Sequence, residues 1–112
     1  IEGAPHDSRV VREETFGPLL PVFRVGDLDE ALRLANDSRY GLGSSIWTRN
    51  IRWIHRAAQE IEAGMTWVNQ LHYGYDELPF GGVKDSGVGR EHGPEALEYY
   101  LESKSVVIGG LD

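Results

Sequence analysis

The sequence has no cysteine among its 112 residues. These residues therefore cannot form a disulfide framework or a thiolate zinc site, and they cannot supply a cysteine nucleophile. The absence of cysteine also favours a reducing compartment, so we expect a cytoplasmic location. Long apolar runs are missing as well, and those present are too short to span a bilayer.

Basic residues are few: 11 Lys and Arg stand against 18 Asp and Glu, for a formal net charge of -7. This balance argues against binding to nucleic acid or to an anionic membrane, because both need a basic surface. The hydrophobic fraction of 40% and the charged fraction of 26% are typical of a globular domain. The sequence opens at Ile1 without an element signal, so we expect it to be part of a longer chain.

The spacing of apolar residues predicts strands alternating with helices. Two helices are predicted after Asp27 and Asn50, which are good N-caps, and Glu30 stands where a capping-box partner belongs. A third helix is predicted to open at Gly93-Pro94. Strands are predicted at residues 8–12, 19–25, 44–48, 65–69 and 104–109. We therefore predict an α/β fold with a mostly parallel sheet flanked by helices.

Residues 70–92 form a glycine-rich stretch that is too long for an ordinary connection, and such loops are usually functional. His72 and Tyr73 could line a ligand pocket there, or they could simply pack beneath the loop. Lys84 and Arg90 could bind an anion. Alternatively, they could be solvated or pair with Asp85 and Glu91, the acidic residues that follow each of them.

Several other chemistries find little support in the same region. Ser86, Asp85 and His92 are close in sequence, but no Gly-x-Ser-x-Gly elbow accompanies them, so a hydrolase triad is disfavoured. Gly87-x-Gly89 lacks the preceding strand and the third glycine of a dinucleotide fingerprint. The four histidines show no ligand spacing, and we predict no metal site.

The segment Glu13-Glu14-Thr15-Phe16-Gly17-Pro18 suggests a cofactor contact. A carboxylate can accept hydrogen bonds from both hydroxyls of a ribose, and an aromatic ring two residues later could pack on a flat heterocycle. The alternative is a solvated acidic pair beside a phenylalanine of the core.

Between Arg9 and Ile108 the sequence resembles the aldehyde dehydrogenase superfamily. The resemblance is carried, in order, by Glu13-Glu14-x-Phe16-Gly17-Pro18, Ala35-Asn36, Tyr40-Gly41-Leu42, Gly64, Val68-Asn69 and Pro79-Phe80-Gly81-Gly82-x-Lys84-x-Ser86-Gly87-x-Gly89-Arg90-Glu91.

The resemblance implies an enzyme that oxidises an aldehyde to a carboxylic acid with NAD or NADP. A cysteine thiolate would attack the aldehyde, hydride would pass to the nicotinamide, and a glutamate base would activate water. It implies that Glu14 and Phe16 contact the cofactor. It also implies that Phe80, His72 and Tyr73 shape the substrate pocket.

The resemblance further implies that residues 1–102 are a C-terminal portion of the catalytic domain. Residues 103–112 would then hold an oligomerisation strand, from Lys104 to Gly109, and a tail, and they would build a homo-oligomer. The cysteine, the base glutamate and the dinucleotide-binding domain would belong to the remainder of a parent chain, so these residues alone are expected to be inactive. The alternative is a non-catalytic assembly piece of a split or truncated protein.

Overall fold

The computed structural model describes residues 1–71 and 73–110. The four helices of this part are α1 (Arg9–Arg12), α2 (Leu28–Asn36), α3 (Ile51–Glu60) and α4 (Glu95–Glu98). Its four strands are β1 (Tyr40–Gly41), β2 (Gly43–Ile46), β3 (Met65–Val68) and β4 (Val83–Lys84). Helices and strands are interspersed along the chain, and the predicted α/β class is confirmed. Among the described residues, no helix has the length and apolar character needed to cross a membrane.

Strand pairing is mixed, whereas the sequence predicted a mostly parallel sheet. β2 and β3 are parallel, with Gly43 opposite Met65 and Ile46 opposite Val68. β1 and β4 are antiparallel, with Tyr40 opposite Lys84. The antiparallel pair forms because the glycine-rich stretch folds back on the chain, so this stretch is not the structureless loop that its composition predicted.

The two long helices begin where the sequence predicted. The Asp27 side chain accepts a hydrogen bond from the backbone N–H of Glu30, and the Asn50 side chain accepts one from the N–H of Arg52. Such caps satisfy N–H groups that the first helical turn leaves without a partner. The last helix follows Pro94 as predicted, although it is a single turn.

Two predicted strands near the N-terminus are wrong. Residues 9–12 form the helical turn α1, in which Ser8 O accepts from the N–H groups of Val11 and Arg12 at 3.0 Å each. Residues 19–25 show a single bridge, between Val22 and Glu2, and no strand. Pro21 has no N–H to contribute to a ladder, and an extended segment without a neighbouring strand gains few hydrogen bonds.

The predicted strand at 104–109 is not formed in the isolated chain either. Residues 101–110 have no regular structure and are exposed. A strand requires a second strand to pair with, and this segment has none within the described chain.

The core is small. Among the described residues, the buried apolar side chains are Leu32 in α2, 5% exposed, and Ala57 in α3, 0% exposed. The two helices contact each other there, and α3 also packs on β3. Near this contact the Asn36 side chain donates to Glu60 O at 2.7 Å and accepts from Glu62 N at 2.8 Å, which joins the ends of both helices.

Candidate functional site

A pocket of about 290 Å³ opens where β3 meets the glycine-rich stretch. Its walls are mainly apolar and aromatic, and the rings come from Trp67, Tyr73, Tyr75, Phe80 and His92. Concave sites of this size with few polar groups are typical of small-molecule binding.

The turn after β3 fixes where the chain leaves the strand and begins to line the pocket. Asn69 has a φ of 55°, in the left-handed region that asparagine tolerates better than most residues. Its side-chain amide accepts from Thr48 N at 2.8 Å and donates to Thr48 O at 3.0 Å. The end of β3 is therefore fixed to the residues that follow β2, and the chain leaves toward Tyr73.

Phe80 is held by its backbone. Its N–H donates to Glu91 O and its carbonyl accepts from Glu91 N, both at 2.7 Å. Arg90 Nη1 donates to Gly82 O and Gly89 O, also at 2.7 Å each, and so ties the two sides of this segment together. The Phe80 ring meets the His92 ring edge to face, with centroids 6.2 Å apart.

Lys84 and Arg90 do not take either role considered from the sequence. Lys84 Nζ donates to Asn36 O at 2.8 Å and Ser38 O at 3.1 Å, and it pairs with Glu62 at 2.7 Å. Arg90 bonds backbone carbonyls, as described above. Arg90 thus joins two parts of the loop to each other, and Lys84 joins the loop to the end of α2 and to Glu62.

Asp85, Ser86 and His92 have separate partners and form no triad. Asp85 pairs with Arg39 at 2.6 Å, and this hydrogen bond raises the pKa of Arg39. The Ser86 hydroxyl accepts from Gly41 N at 2.9 Å. His92 Nδ1 lies 3.2 Å from Asp76 Oδ1. Within residues 1–71 and 73–110, no three His, Asp or Glu side chains are grouped as a metal ion would require.

The predicted cofactor residues lie on an exposed turn and are not among the residues that line the pocket. Phe16 is 92% exposed, so it is not part of the core that the described residues form. Glu13 is bound by Arg9 through two hydrogen bonds, of 3.0 and 2.9 Å, which hold the pKa of its carboxyl below the ordinary value. Among the described residues, none donates a hydrogen bond to the neighbouring Glu14 carboxylate.

The structure brings together two of the three predicted pocket residues. Tyr73 and Phe80 both line the pocket, and His72 lies outside the described residues. Trp67 and His92 were not predicted as lining residues. A signal for Trp67 was available, since a large aromatic residue at the end of a strand that enters a functional loop is well placed to face a ligand.

Comparison with known proteins identifies the family of the chain. The family model described as "Aldehyde dehydrogenase family" matches residues 1–106. The chain belongs to the aldehyde dehydrogenase family. It is 43% identical over 102 residues to aldehyde dehydrogenase [NAD(P)+] 2 of Saccharomyces cerevisiae, a match that covers 91% of this chain and 20% of that protein. It is 48% identical over 102 residues to phenylacetaldehyde dehydrogenase of Pseudomonas fluorescens, with the same two coverages.

Solved structures of similar sequence share the fold. PnpE from Pseudomonas sp. WBC-3 superposes with a TM-score of 0.87 at 47% identity, over 94% of this chain and 21% of that one. The AldA indole-3-acetaldehyde dehydrogenase of P. syringae, solved with NAD+ and IAA, superposes with a TM-score of 0.88 at 41% identity, over the same shares. The chain thus spans about a fifth of the length of the aldehyde dehydrogenases that it matches.

Proposed function

We propose that these residues form a C-terminal part of the catalytic domain of an aldehyde dehydrogenase that oxidises an aldehyde to a carboxylic acid with NAD or NADP. The main support for the proposal is the aromatic pocket. Part of its wall comes from a segment that contains family motif residues, and backbone hydrogen bonds within this segment fix the wall in place. Relatives whose names state NAD(P)+, or that were solved with NAD+, support the choice of cofactor.

Glu14 and Phe16 are the residues proposed to hold the nicotinamide ribose and ring. A carboxylate is an acceptor that suits a diol, and that of Glu14 is exposed and not occupied as Glu13 is by Arg9. The exposed ring of Phe16 stands two residues further along, before the rigid Gly17-Pro18 pair. When bound, the cofactor would supply the hydride acceptor, and this turn would orient it.

Tyr73 and Phe80, together with His72 from the sequence, are proposed to shape the substrate pocket. Their part in the reaction is to orient the aldehyde and to exclude water. The 112 residues contain no cysteine, so the thiolate would come from the remainder of the enzyme, and the family resemblance implies the same for the base that activates water. We therefore expect the 112 residues alone to be inactive.

The proposal is tested by aldehyde-dependent formation of NADH or NADPH in the full-length enzyme, with Glu14→Gln as the diagnostic variant. Loss of the charged acceptor should raise the KM for the cofactor by about tenfold to a hundredfold, because hydrogen bonds to a charged group contribute about 1.5–3 kcal/mol. Glu13→Gln is the matched control, since that carboxylate is already bound by Arg9.

An unchanged KM for both cofactors in Glu14→Gln would show that this residue does not hold the ribose. An equal rise in Glu13→Gln would show that the effect comes from the charge of the turn and from no specific contact. Absence of turnover by the folded full-length protein, with either cofactor and any aldehyde, would contradict the enzymatic proposal itself.

We also propose that residues 103–112 serve assembly, through pairing of the segment from Lys104 to Gly109 with a second copy of the enzyme. Within this segment Val106, Val107 and Ile108 are all exposed, and Val107 is 94% exposed. An extended apolar segment with open N–H and C=O groups is suited to adding a strand to a neighbouring sheet. The same exposure favours the second candidate function, a non-catalytic assembly piece, and the cofactor assay distinguishes the two.

Replacing Val107 with aspartate is expected to dissociate the full-length enzyme into smaller species. A charge buried without a partner at a subunit interface would be costly, whereas in the isolated chain the side chain touches little. Light scattering after size-exclusion chromatography measures the mass. Val88→Asp is the control, because Val88 is fully exposed elsewhere. An unchanged mass for Val107→Asp, and also after deletion of residues 103–112, would refute the assembly role.

A further inference from the structure

We infer that the pocket selects an aromatic aldehyde and disfavours aldehydes that carry a carboxylate. The inference rests on the proposed function and specifies its substrate class. From the sequence, two substrate classes remained open: the cations in the glycine-rich stretch suited a semialdehyde carboxylate, and the aromatic residues suited an aryl group. The positions of these side chains separate the two.

The aromatic wall is organised by contacts between its own members. The Trp67 indole N–H donates to Tyr73 O at 3.3 Å, which fixes Tyr73 beside the strand. The Tyr73 and Tyr75 rings meet edge to face with centroids 5.3 Å apart. Phe80 and His92 form a second edge-to-face pair across the loop. The ring of a bound substrate can pack against rings arranged in this way, because edge-to-face and offset contacts are the preferred geometries between aromatic groups.

No cation is available to a carboxylate on this wall. Among the described lining residues there is no lysine and no arginine. Lys84 and Arg90, the nearest candidates in sequence, are bound by Glu62 and by backbone carbonyls. His92 does line the pocket, but Asp76 lies 3.2 Å from its Nδ1 and offsets any positive charge. A bound carboxylate would therefore lose its hydration without gaining a partner.

The charge outside the pocket works against anions as well. The Asp76 carboxylate is almost fully exposed, and Glu77 follows it in the same segment. These two acidic groups lie in sequence between the lining residues Tyr75 and Leu78, and they lower the local concentration of anionic ligands. A quaternary ammonium group would also pack on these rings through cation–π contacts, so a cationic aldehyde is the competitor against which the preference for an aryl group is tested. An aromatic ring is the group that the edge-to-face pairs of the wall accept best.

The test compares kcat/KM of the full-length enzyme for phenylacetaldehyde, succinic semialdehyde and a trimethylammonium acetaldehyde. We expect the aryl substrate to be preferred by about tenfold or more. Tyr75→Ala should lower kcat/KM for the aryl substrate by about tenfold, mainly because KM rises. The value for the semialdehyde should change little, because only a substrate with an aryl group contacts the Tyr75 ring. Tyr100→Ala is the matched control, since Tyr100 is exposed and is not a lining residue.

A second variant introduces the missing cation. Gln70 is an exposed lining residue, so Gln70→Arg adds a guanidinium at the pocket without filling a core position. It should raise kcat/KM for succinic semialdehyde by about tenfold or more, the size of a charge-assisted hydrogen bond. Gln59→Arg, on the exposed face of α3, makes the same change in net charge away from the pocket and should leave the preference unchanged.

The outcomes separate this inference from the proposed function. Absence of turnover with all three aldehydes would overturn the proposed function and the inference with it. Turnover that favours the semialdehyde or the cationic aldehyde would overturn the inference alone. So would a Tyr75→Ala variant that loses activity equally with every substrate, since that pattern reports a structural role.

Discussion

Replacing Gly64 with alanine is expected to destroy the pocket and with it the activity of the full-length enzyme. A Cβ at this position would lie 1.7 Å from Gly81 O, 2.7 Å from Gly81 C and 3.0 Å from Gly82 Cα. All three are backbone atoms, so no side chain can rotate to relieve the contact. The chain before β3 and the segment that carries Phe80 would have to separate by more than an ångström, at a cost above about 3 kcal/mol.

The measurement is the thermal midpoint of the full-length enzyme together with kcat/KM for its best aldehyde. We expect Gly64→Ala to be poorly soluble or to lose at least about a hundredfold in kcat/KM. Gly26→Ala is the matched control, because the nearest atom to its Cβ would be the flexible Glu30 Oε2 at 3.6 Å, an ordinary contact. A Gly64→Ala enzyme with normal solubility and activity would show that the two backbones are not packed as described.

The elements that the sequence predicted correctly are those fixed by local chemistry. At the start of the first long helix, the Asp27 side chain accepts from the N–H of Glu30, three residues later, and the Glu30 carboxylate accepts from Gly26 N at 2.8 Å. At the start of the second long helix, the Asn50 side chain accepts from the N–H of Arg52, two residues later. In both cases the residues that decide the boundary lie within one turn of it, so a single sequence contains the necessary information.

The elements that the sequence predicted wrongly depend on distant residues. Val10 and Val11 favour a strand by propensity, but no neighbouring strand pairs with them. A helical turn forms instead, with Arg9 and Glu13 paired four residues apart.

The contacts of Lys84 also depend on distant residues. Lys84 binds carbonyl groups of residues 36 and 38, which are 48 and 46 positions away. A local sequence pattern cannot show such partners, so the acidic residue next to Lys84 in sequence did not predict the contacts that Lys84 makes.

The pocket could be located from the sequence, but its composition could not. The length of the glycine-rich stretch and its aromatic residues suggested a ligand site with His72 and Tyr73, and the family resemblance added Phe80. The placement of Trp67 depends on the register of β3 against β2, and that of His92 depends on the bridge between Phe80 and Glu91. Both are tertiary features. The charge of the pocket, on which the inferred substrate class rests, could be described only after the partners of Lys84 and Arg90 were known.

The 112 residues expressed alone are expected to show no cooperative unfolding transition. Their accessible surface is 9178 Å², about 3,000 Å² more than a compact monomer of this mass exposes. The radius of gyration is 19.7 Å, against about 13 Å for a compact domain of this length. An excess of this size is comparable to the area buried in a large permanent interface. We therefore expect the remainder of an enzyme to cover this surface.

Calorimetry and binding of a hydrophobic dye measure this directly. The isolated residues should give a flat heat-capacity trace and bind the dye strongly, because a core limited to Leu32 and Ala57 among the described residues cannot offset the entropy of ordering the chain. The full-length enzyme should unfold with a sharp transition and bind little dye. A matched fragment in which Trp47, Leu71 and Val107, all exposed, are changed to serine should bind less dye without gaining a transition. A sharp transition from the unmodified 112 residues would instead show that they fold independently, and the extended surface would then need an occupant other than the rest of the enzyme.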